Sequence, residues 1–295
     1  MIRFVMLVIF PERRYTKMVR ILVDSSADYT AQEVEALNME LVSINITLND
    51  KNYRDGIDIT KDELYQMLLE TDSFPMTAQP SPQDFLDIFE DAKEKGDSLV
   101  YLSLSSGLSG TFQTATLAKN MAEYDEIYLV DTLSATRAIR IMAEYACKLR
   151  EEGKTAAEIA AELESFKSRV VIYSALDTLE YLYKGGRLSK AAAAVGELAN
   201  LKPIIHVNAE GKMAVPAKAL GRNKAIASLV KMVTEKGIDT SFPAYSLYAY
   251  GEENTEKLEQ KLEAAGVSVT KRLQVGATIG CHIGPGAYGL IFVTK

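Results

Sequence analysis

Residues Leu102-Ser-Leu-Ser-Ser-Gly-Leu-Ser-Gly-Thr-Phe-Gln-Thr-Ala115 join an apolar run to a helical pattern through a turn of serine and glycine. The apolar run, 98–104, predicts a strand, and a helix is predicted after Ser109. Free N–H groups at a helix N-terminus, together with the positive end of the helix dipole, favour a carboxylate or phosphate. Ser109 is the first candidate to contact such an anion. The alternative is that Ser109 only caps the helix, and this stretch alone leaves both interpretations open.

Length and charge exclude several classes of protein. A chain of 295 residues suits two domains better than one. A net charge of −7 argues against nucleic acid as a partner, because phosphate binding needs an excess of lysine and arginine. Cys147 and Cys281 lie far apart in the sequence and predict neither a disulfide framework nor a zinc cluster. A reducing cytoplasm is the expected location.

The first 17 residues contain an apolar segment, 1–10, that resembles a signal sequence. The segment is too short to span a membrane and lacks a small-residue cleavage site. We interpret 1–17 as an extension or a mis-assigned start, and expect folding to begin near Met18.

The N-terminal half alternates strand and helix patterns, which predicts a mostly parallel sheet covered by helices on both faces. Expected strands are 19–24, 40–48, 98–104 and 126–131. Expected helices are 30–38, 60–70, one from Pro82, one after Ser109 and 134–150. Thr77 lies in a connector, 74–82, that three prolines make stiff and extended. This half is assigned to an N-terminal α/β domain, 18–168.

The remaining residues, 169–295, predict a C-terminal α+β domain with an antiparallel sheet. Expected strands are 169–174, 204–207, 213–217, 245–250, 267–273 and 290–293, the second and third forming a hairpin around 208–211. Expected helices are a short one at 176–183 that ends at two glycines, an alanine-rich one before Lys202, 224–236 and 256–265.

Only two histidines are available for acid–base chemistry. His206 lies inside an apolar strand pattern, which favours a structural role. His282 precedes a Gly-Pro-Gly turn, where backbone can approach a ligand closely, so function and structure are both open for it. A hydrolase would pair Ser109 as nucleophile with His282 as base. However, the G-x-S-x-G elbow is incomplete and no acid is placed against the histidine. No cluster has metal-ligand spacing.

Seven short motifs occur in one order along the chain: Leu22-Val-Asp-Ser-Ser-Ala-Asp28, Thr77-Ala-Gln-Pro-Ser81, Leu104-Ser-Ser-Gly-Leu-Ser-Gly-Thr-Phe-Gln113, Val130-Asp-Thr132, Tyr183-Lys-Gly-Gly-Arg-Leu-Ser189, Leu201-Lys-Pro203 and His282-Ile-Gly-Pro-Gly-Ala287. With these motifs the chain resembles the DegV family from Val19 onward. That family includes the fatty-acid-binding subunits of bacterial fatty acid kinase. Departures from the family pattern are mild: Ala78, Thr132 and Cys281.

The resemblance implies a two-domain fold with one long-chain fatty acid buried between the domains. It implies that Thr77, Ser109 and Gly110 bind the carboxylate, with His282 and Arg222 near the head group. Arg187 is implied as a contact for the head-group region or for the kinase. A chain of roughly 16 carbons gains ~0.8 kcal/mol per buried methylene, which suits a carrier.

By the same resemblance, the protein is not itself an enzyme and needs no cofactor. It presents the carboxylate to a separate fatty acid kinase, which makes an acyl phosphate for phospholipid synthesis. The phosphate-binding motif G-x-x-x-x-G-K-[ST] is absent from the sequence, in keeping with a separate catalytic subunit. Two alternatives stay open: an esterase or acyl transferase that uses Ser109 and His282, and a carrier for another apolar acid without a kinase.

Overall fold

The computed structural model describes residues 18–71, 73–190 and 200–295. The strands are β1 Val19–Asp24, β2 Glu40–Val42, β3 Asn45–Leu48, β4 Lys51–Arg54, β5 Met76–Ala78, β6 Ser98–Ser103, β7 Ile127–Asp131, β8 Val170–Ala175, β9 Leu201–Val207, β10 Met213–Leu220, β11 Tyr245–Tyr248, β12 Lys271–Gln274 and β13 Tyr288–Val293. The helices are α1 Ala31–Ala36, α2 Lys61–Glu70, α3 Pro82–Lys95, α4 Thr111–Ala122, α5 Arg137–Glu151, α6 Ala156–Phe166, α7 Glu180–Lys184, α8 Arg222–Lys236, α9 Glu253–Ala264 and α10 Ala277–Ile283.

The N-terminal domain contains a parallel four-stranded sheet in the order β2-β1-β6-β7, as the alternating pattern predicts. Successive side chains of a strand point to opposite faces, and β6 shows this directly. Leu99 and Tyr101 pack with α3 and α4, whereas Val100 and Leu102 pack with α5 and α6. Every residue of β6 is buried, as expected for a central strand covered on both faces.

The second sheet has six strands in the order β10-β9-β8-β13-β11-β12 and is mixed, because β11 and β12 are parallel and the other pairs are antiparallel. One face packs against α8 and α9 through residues such as Leu229 and Leu258. The other face contributes Ile291 and Val293 to the cluster that also contains α5 and β1. One hydrophobic core therefore runs through both sheets.

A third sheet, antiparallel and ordered β4-β3-β5, was not predicted. The segment 40–48 was expected to be one strand, but it divides between β2 in the parallel sheet and β3 in this small sheet. The turn between β3 and β4 places Asn49 and Asp50 at φ of 51° and 60°, the left-handed region in which asparagine and aspartate are favoured. This small sheet carries Thr77.

Several boundaries in the second half also differ from the sequence predictions. The helix expected at 176–183 begins only at Glu180, and the strand expected at 267–273 is confined to Lys271–Gln274. Residues 277–283 form α10, which was not predicted. The hairpin of β9 and β10 is confirmed. The predicted alanine-rich helix and the N-terminal segment 1–17 lie outside the described residues. Across the residues that the model describes, no helix is both long and apolar enough to cross a membrane.

Candidate functional site

A small cavity lies where α10 meets β5, the loop before α4 and the segment after α7. Its volume is about 40 Å³. Four of the sequence-predicted site residues line it: Thr77, Ser109, Arg187 and His282. The apolar part of the wall includes Ile44, Leu104, Leu108, Leu182, Met213 and Ile283. The cavity thus has a polar cluster on one part of its wall and aliphatic side chains on the rest.

His282 and Thr77 make the central polar contact of this cavity. The Nε2 atom of His282 lies 2.9 Å from Oγ1 of Thr77. His282 is only 7% exposed, and its Nδ1 has no hydrogen-bond partner among the described residues. Burial and the nearby Arg187 charge lower the pKa of His282 from 6.5 to about 3. The imidazole is therefore neutral at physiological pH, with one ring nitrogen as donor and the other as acceptor.

Ser109 lies one residue before the N-cap of α4, which is Gly110. Its Oγ is 2.8 Å from Oγ1 of Thr111 and accepts a hydrogen bond from the Thr111 N–H at 3.3 Å. Gly110 has no room for a side chain, because Gln79 occupies the space that a Cβ would need. Gln79 is held there by a 2.7 Å hydrogen bond from its Nε2 to Thr114 Oγ1. The helix end and the β5 connector are therefore in direct contact.

Arg187 lies half-buried at the cavity, in the segment that follows the two glycines after α7. Its Nε donates to the carbonyl oxygen of Leu108 at 2.9 Å, and its Nη1 donates to that of Gly185 at 2.6 Å. Burial lowers the pKa of the guanidinium from its ordinary value. Gly185 itself contacts the His282 ring so closely that a Cβ there would collide with Nδ1. Arg187 therefore brings a positive charge to the His282 side of the cavity.

Two sequence-predicted site residues do not line the cavity: Gly110, which lies next to Ser109 and contacts Gln79, and Arg222, which lies elsewhere. Arg222 is the first residue of α8, its side chain is 55% exposed, and its Nη2 lies 3.7 Å from Oδ2 of Asp177. It borders a separate surface hollow together with Lys202 and Lys224. The structure therefore does not place Arg222 on the cavity wall with the other four residues.

The contacts of Ser109 and His282 differ from those of a nucleophile and its base. The serine hydroxyl is engaged with Thr111, and the histidine Nε2 is engaged with Thr77. His206 lies half-buried on β9 beside the ring of Tyr173, as the structural interpretation predicts. Within residues 18–71, 73–190 and 200–295, no group of three or more histidine, cysteine, aspartate or glutamate side chains is arranged to hold a metal ion.

Gln79 and Met213 are among the cavity residues that sequence reasoning missed. Gln79 stands inside the quoted motif 77–81, so its position was a usable signal, although its role depends on the contact with Gly110. Met213 reaches the cavity from the start of β10, and its contribution depends on how the two sheets pack. No local pattern in the sequence indicates Met213 as a cavity residue.

Comparison with known proteins gives consistent matches over nearly the whole chain. A family model described as "Uncharacterised protein, DegV family" matches residues 18–295. A DegV domain-containing protein of Caldanaerobacter subterraneus subsp. tengcongensis is 32% identical over 280 residues, which is 94% of this chain and 99% of that protein. A DegV family structure from Thermus thermophilus, described by its fatty acid binding, has a TM-score of 0.84 at 33% identity and covers 94% of this chain and 100% of its own. The structure of DegV from Bacillus subtilis, described as a fatty acid binding protein, has a TM-score of 0.80 at 29% identity. The match covers 95% of this chain and 100% of the Bacillus subtilis chain.

Proposed function

This chain belongs to the DegV family, and from that premise we propose that it binds one long-chain fatty acid and presents the carboxylate to a separate fatty acid kinase. The observation that carries the proposal is the convergence of Thr77, Ser109, Arg187 and His282 on one cavity. Its other lining residues are apolar, apart from Gln79 and Thr278. Fatty acid binding by the family structures from Thermus thermophilus and Bacillus subtilis supports it.

The proposed carboxylate position lies between Thr77 and the N-terminal end of α4. Hydroxyl groups of Thr77 and Ser109 can donate to carboxylate oxygens, and the α4 dipole stabilises a negative charge there. A neutral His282 can donate from one nitrogen without adding a second buried charge. Arg187 supplies the positive charge nearby. Arg222 is kept in the proposal as a head-group residue only on the family resemblance, because its contact is with Asp177.

The proposed acyl chain occupies the apolar side of the cavity. Burial of each methylene contributes ~0.8 kcal/mol, so a long tail supplies most of the binding free energy. Pockets that enclose ligands of this size usually measure about 300–1,000 Å³. Since the cavity here measures about 40 Å³, the aliphatic side chains around it must move to admit the chain.

We place the domain boundary at 168/169, with the ligand between a domain formed by 18–168 and one formed by 169–295. The six-stranded sheet begins with β8 at Val170, directly after this boundary. The cavity takes Thr77 and Ser109 from the first domain, and Arg187 and His282 from the second. A ligand held by all four residues would link the two domains.

The kinase partnership rests on the family resemblance, and a cytoplasmic location rests on the two isolated cysteines, Cys147 and Cys281. A carrier that exposes only the carboxylate leaves one reactive group for phosphoryl transfer, which gives an acyl phosphate for phospholipid synthesis. The first test is native mass spectrometry of delipidated protein mixed with palmitate or oleate. We expect one acid per chain, and no uptake of either acid would contradict the proposal.

A second experiment separates the competing functions. The loaded protein is mixed with a cognate kinase and ATP, and acyl phosphate is trapped with hydroxylamine. Formation of hydroxamate is expected, with less of it from Ser109→Ala and His282→Ala. Uptake without phosphorylation would identify a carrier without a kinase partner. Ser109-dependent release of p-nitrophenol from an ester would instead favour the esterase alternative.

A further inference from the structure

Asp55 lies just after β4, and α10 begins against its carboxylate. We propose that Asp55 is a positioning residue of the site: by holding Thr278 it sets the contact between His282 and Thr77. The proposed function supplies the reason that this contact matters for ligand, so the proposal rests on it.

The Asp55 carboxylate caps the N-terminal end of α10. The N-cap of α10 is Gly276, which has no side chain to offer to the first turn. Asp55 supplies the missing acceptor, since its Oδ2 accepts from the Thr278 N–H at 3.1 Å and from Thr278 Oγ1 at 2.5 Å. A helix of seven residues is unstable by itself and depends on such tertiary contacts.

The connection to His282 follows from helix geometry. Residues four apart lie one above the other on the same face of a helix. Thr278 and His282 have this spacing, and both line the cavity. Thr278 is fixed by Asp55, and His282 contacts Thr77 one turn later. A shift or rotation of the first turn of α10 therefore changes the distance between His282 and Thr77.

The surroundings of Asp55 leave it little freedom to follow a shifted helix. It is 5% exposed, its N–H donates to the carbonyl oxygen of Ile44 at 3.0 Å, and its own carbonyl accepts from Ser43 Oγ at 3.1 Å. Ile44 is itself a cavity residue. Asp55 thus fixes α10 to the segment between β2 and β3, which forms another part of the same wall.

Other contacts hold α10 along its length. Gly280 lies so close to the Tyr65 hydroxyl that a Cβ there would be 2.7 Å from it. That hydroxyl donates to the carbonyl oxygen of Val275 at 3.1 Å, just before the helix. These contacts resist translation of the helix. The Thr278 hydroxyl also lies 3.4 Å from Ser25 Oγ, but Asp55 makes the shorter contact with it and is the acceptor for the Thr278 N–H.

The charge of Asp55 is not needed for this role. Burial, assisted by the neighbouring Asp28 charge and opposed by hydrogen bonds from Thr278 and Ser25, raises the pKa of Asp55 to about 6. Lys61, Tyr65 and Cys281 are the other titratable groups that interact with it. Because an asparagine keeps an acceptor oxygen in the same place, Asp55→Asn is expected to preserve the positioning, and Asp55→Ala to lose it.

The test uses the two histidines as reporters. Protein labelled with ¹⁵N-histidine gives imidazole signals from His206 and His282 alone. In Asp55→Ala we expect the His282 signals to shift and those of His206 to stay. Affinity for a fluorescent fatty acid should fall by about tenfold or more. This is the loss expected when a displaced His282 no longer donates a hydrogen bond to the bound carboxylate. Asp55→Asn should restore both readouts.

The matched control is Asp58→Ala, the same chemical change as Asp55→Ala in the same loop, at an exposed residue that pairs with Arg54. It should leave both readouts unchanged. If Asp55→Ala does not fold, Thr278→Val removes one of the two donors to Asp55 and should give a smaller His282 shift. Unchanged His282 signals in whichever of these variants folds, or equal shifts at both histidines, would overturn the positioning role.

The outcome for the proposed function is separate. If the wild-type protein takes up no fatty acid, the proposed function is contradicted. A shift of the His282 signals in Asp55→Ala would then still support the positioning role. Wild-type protein that binds with high affinity, together with an Asp55→Ala variant of equal affinity and equal His282 signals, contradicts the positioning role alone.

Discussion

Two hydroxyl groups from distant parts of the chain face the same cavity, and each has a different partner. Thr77 contacts His282, and Ser109 contacts Thr111. If both donate to a bound carboxylate, Thr77→Val and Ser109→Ala should each weaken binding of palmitate by about tenfold, because each removes a hydrogen bond to a charged acceptor. Competition against a fluorescent fatty acid measures both affinities.

Ser106→Ala is the control for Ser109→Ala, since it removes a hydroxyl from the same loop. The backbone N–H of Ser106 donates to Asp131, and that bond is kept in the variant. Its affinity for palmitate should equal that of the wild type. Equal loss in Ser106→Ala and Ser109→Ala would show that the loop as a whole, rather than the Ser109 hydroxyl, determines binding.

Sequence motifs predicted four residues that the structure brings together, because each lies in a turn or connector with an unusual composition. Thr77 lies in a proline-rich connector, Ser109 in a serine–glycine turn, Arg187 after two glycines and His282 close before a Gly-Pro-Gly turn. Asp55 was not predicted, since its partner Thr278 is 223 residues away and no local pattern relates them. Long-range contacts of this kind depend on the packing of whole elements.

At the scale of elements, the N-terminal end of α4 is locked to the β5 connector through Gly110 and Gln79. Gly110→Ala should push the two apart and cost about 1–3 kcal/mol of unfolding free energy, as overpacking usually does. The three atoms nearest to a Cβ at this position all belong to Gln79, so removing that side chain should relieve the overlap. The double variant Gln79→Ala/Gly110→Ala is therefore expected to be more stable than Gly110→Ala alone, by urea denaturation.

Gln79→Ala alone is the necessary control, because it loses the hydrogen bond to Thr114 without any overpacking. The expected cost is about 1 kcal/mol. Additive effects of the two substitutions would contradict direct contact between these side chains as the cause.

The elements that were not predicted share a physical reason. The strand β4 follows a two-residue turn, Asn49-Asp50, whose residue types were a usable signal because they are favoured at positive φ. The four residues of β4, however, are polar and mostly exposed. The sequence of α10 argues against a helix, because Gly276 stands at its N-cap and Gly280 lies inside it. The helix is held instead by contacts with Asp55 and Tyr65. Strands and helices with a strong apolar period, such as β6 and α3, were predicted within a few residues.

For the whole molecule, two buried groups, Asp55 and His282, should affect the free energy of unfolding. Their effects should depend on pH in opposite directions. The pKa of His282 is lowered to about 3 by burial, so the unfolded chain binds this proton first, and stability is lost as pH falls below about 6.5. The pKa of Asp55 is raised to about 6, so the folded protein binds this proton first, and stability is lost as pH rises from about 4 to 6. At about 1.36 kcal/mol per pH unit, the full effect of Asp55 can reach about 3 kcal/mol and that of His282 about 5 kcal/mol.

Because the two effects oppose each other between about pH 4 and 6, we expect them largely to cancel in the wild type and to separate in variants. Relative to wild type, Asp55→Asn should gain stability as pH rises through this window, since it no longer buries a charge. His282→Gln should gain stability relative to wild type as pH falls, since its unfolded chain no longer takes up that proton. Urea denaturation of the wild type and both variants across the window measures these differences. Parallel pH profiles for the three proteins would mean that neither group is buried as the structure has it, and would remove the electrostatic basis for a neutral His282 beside the carboxylate.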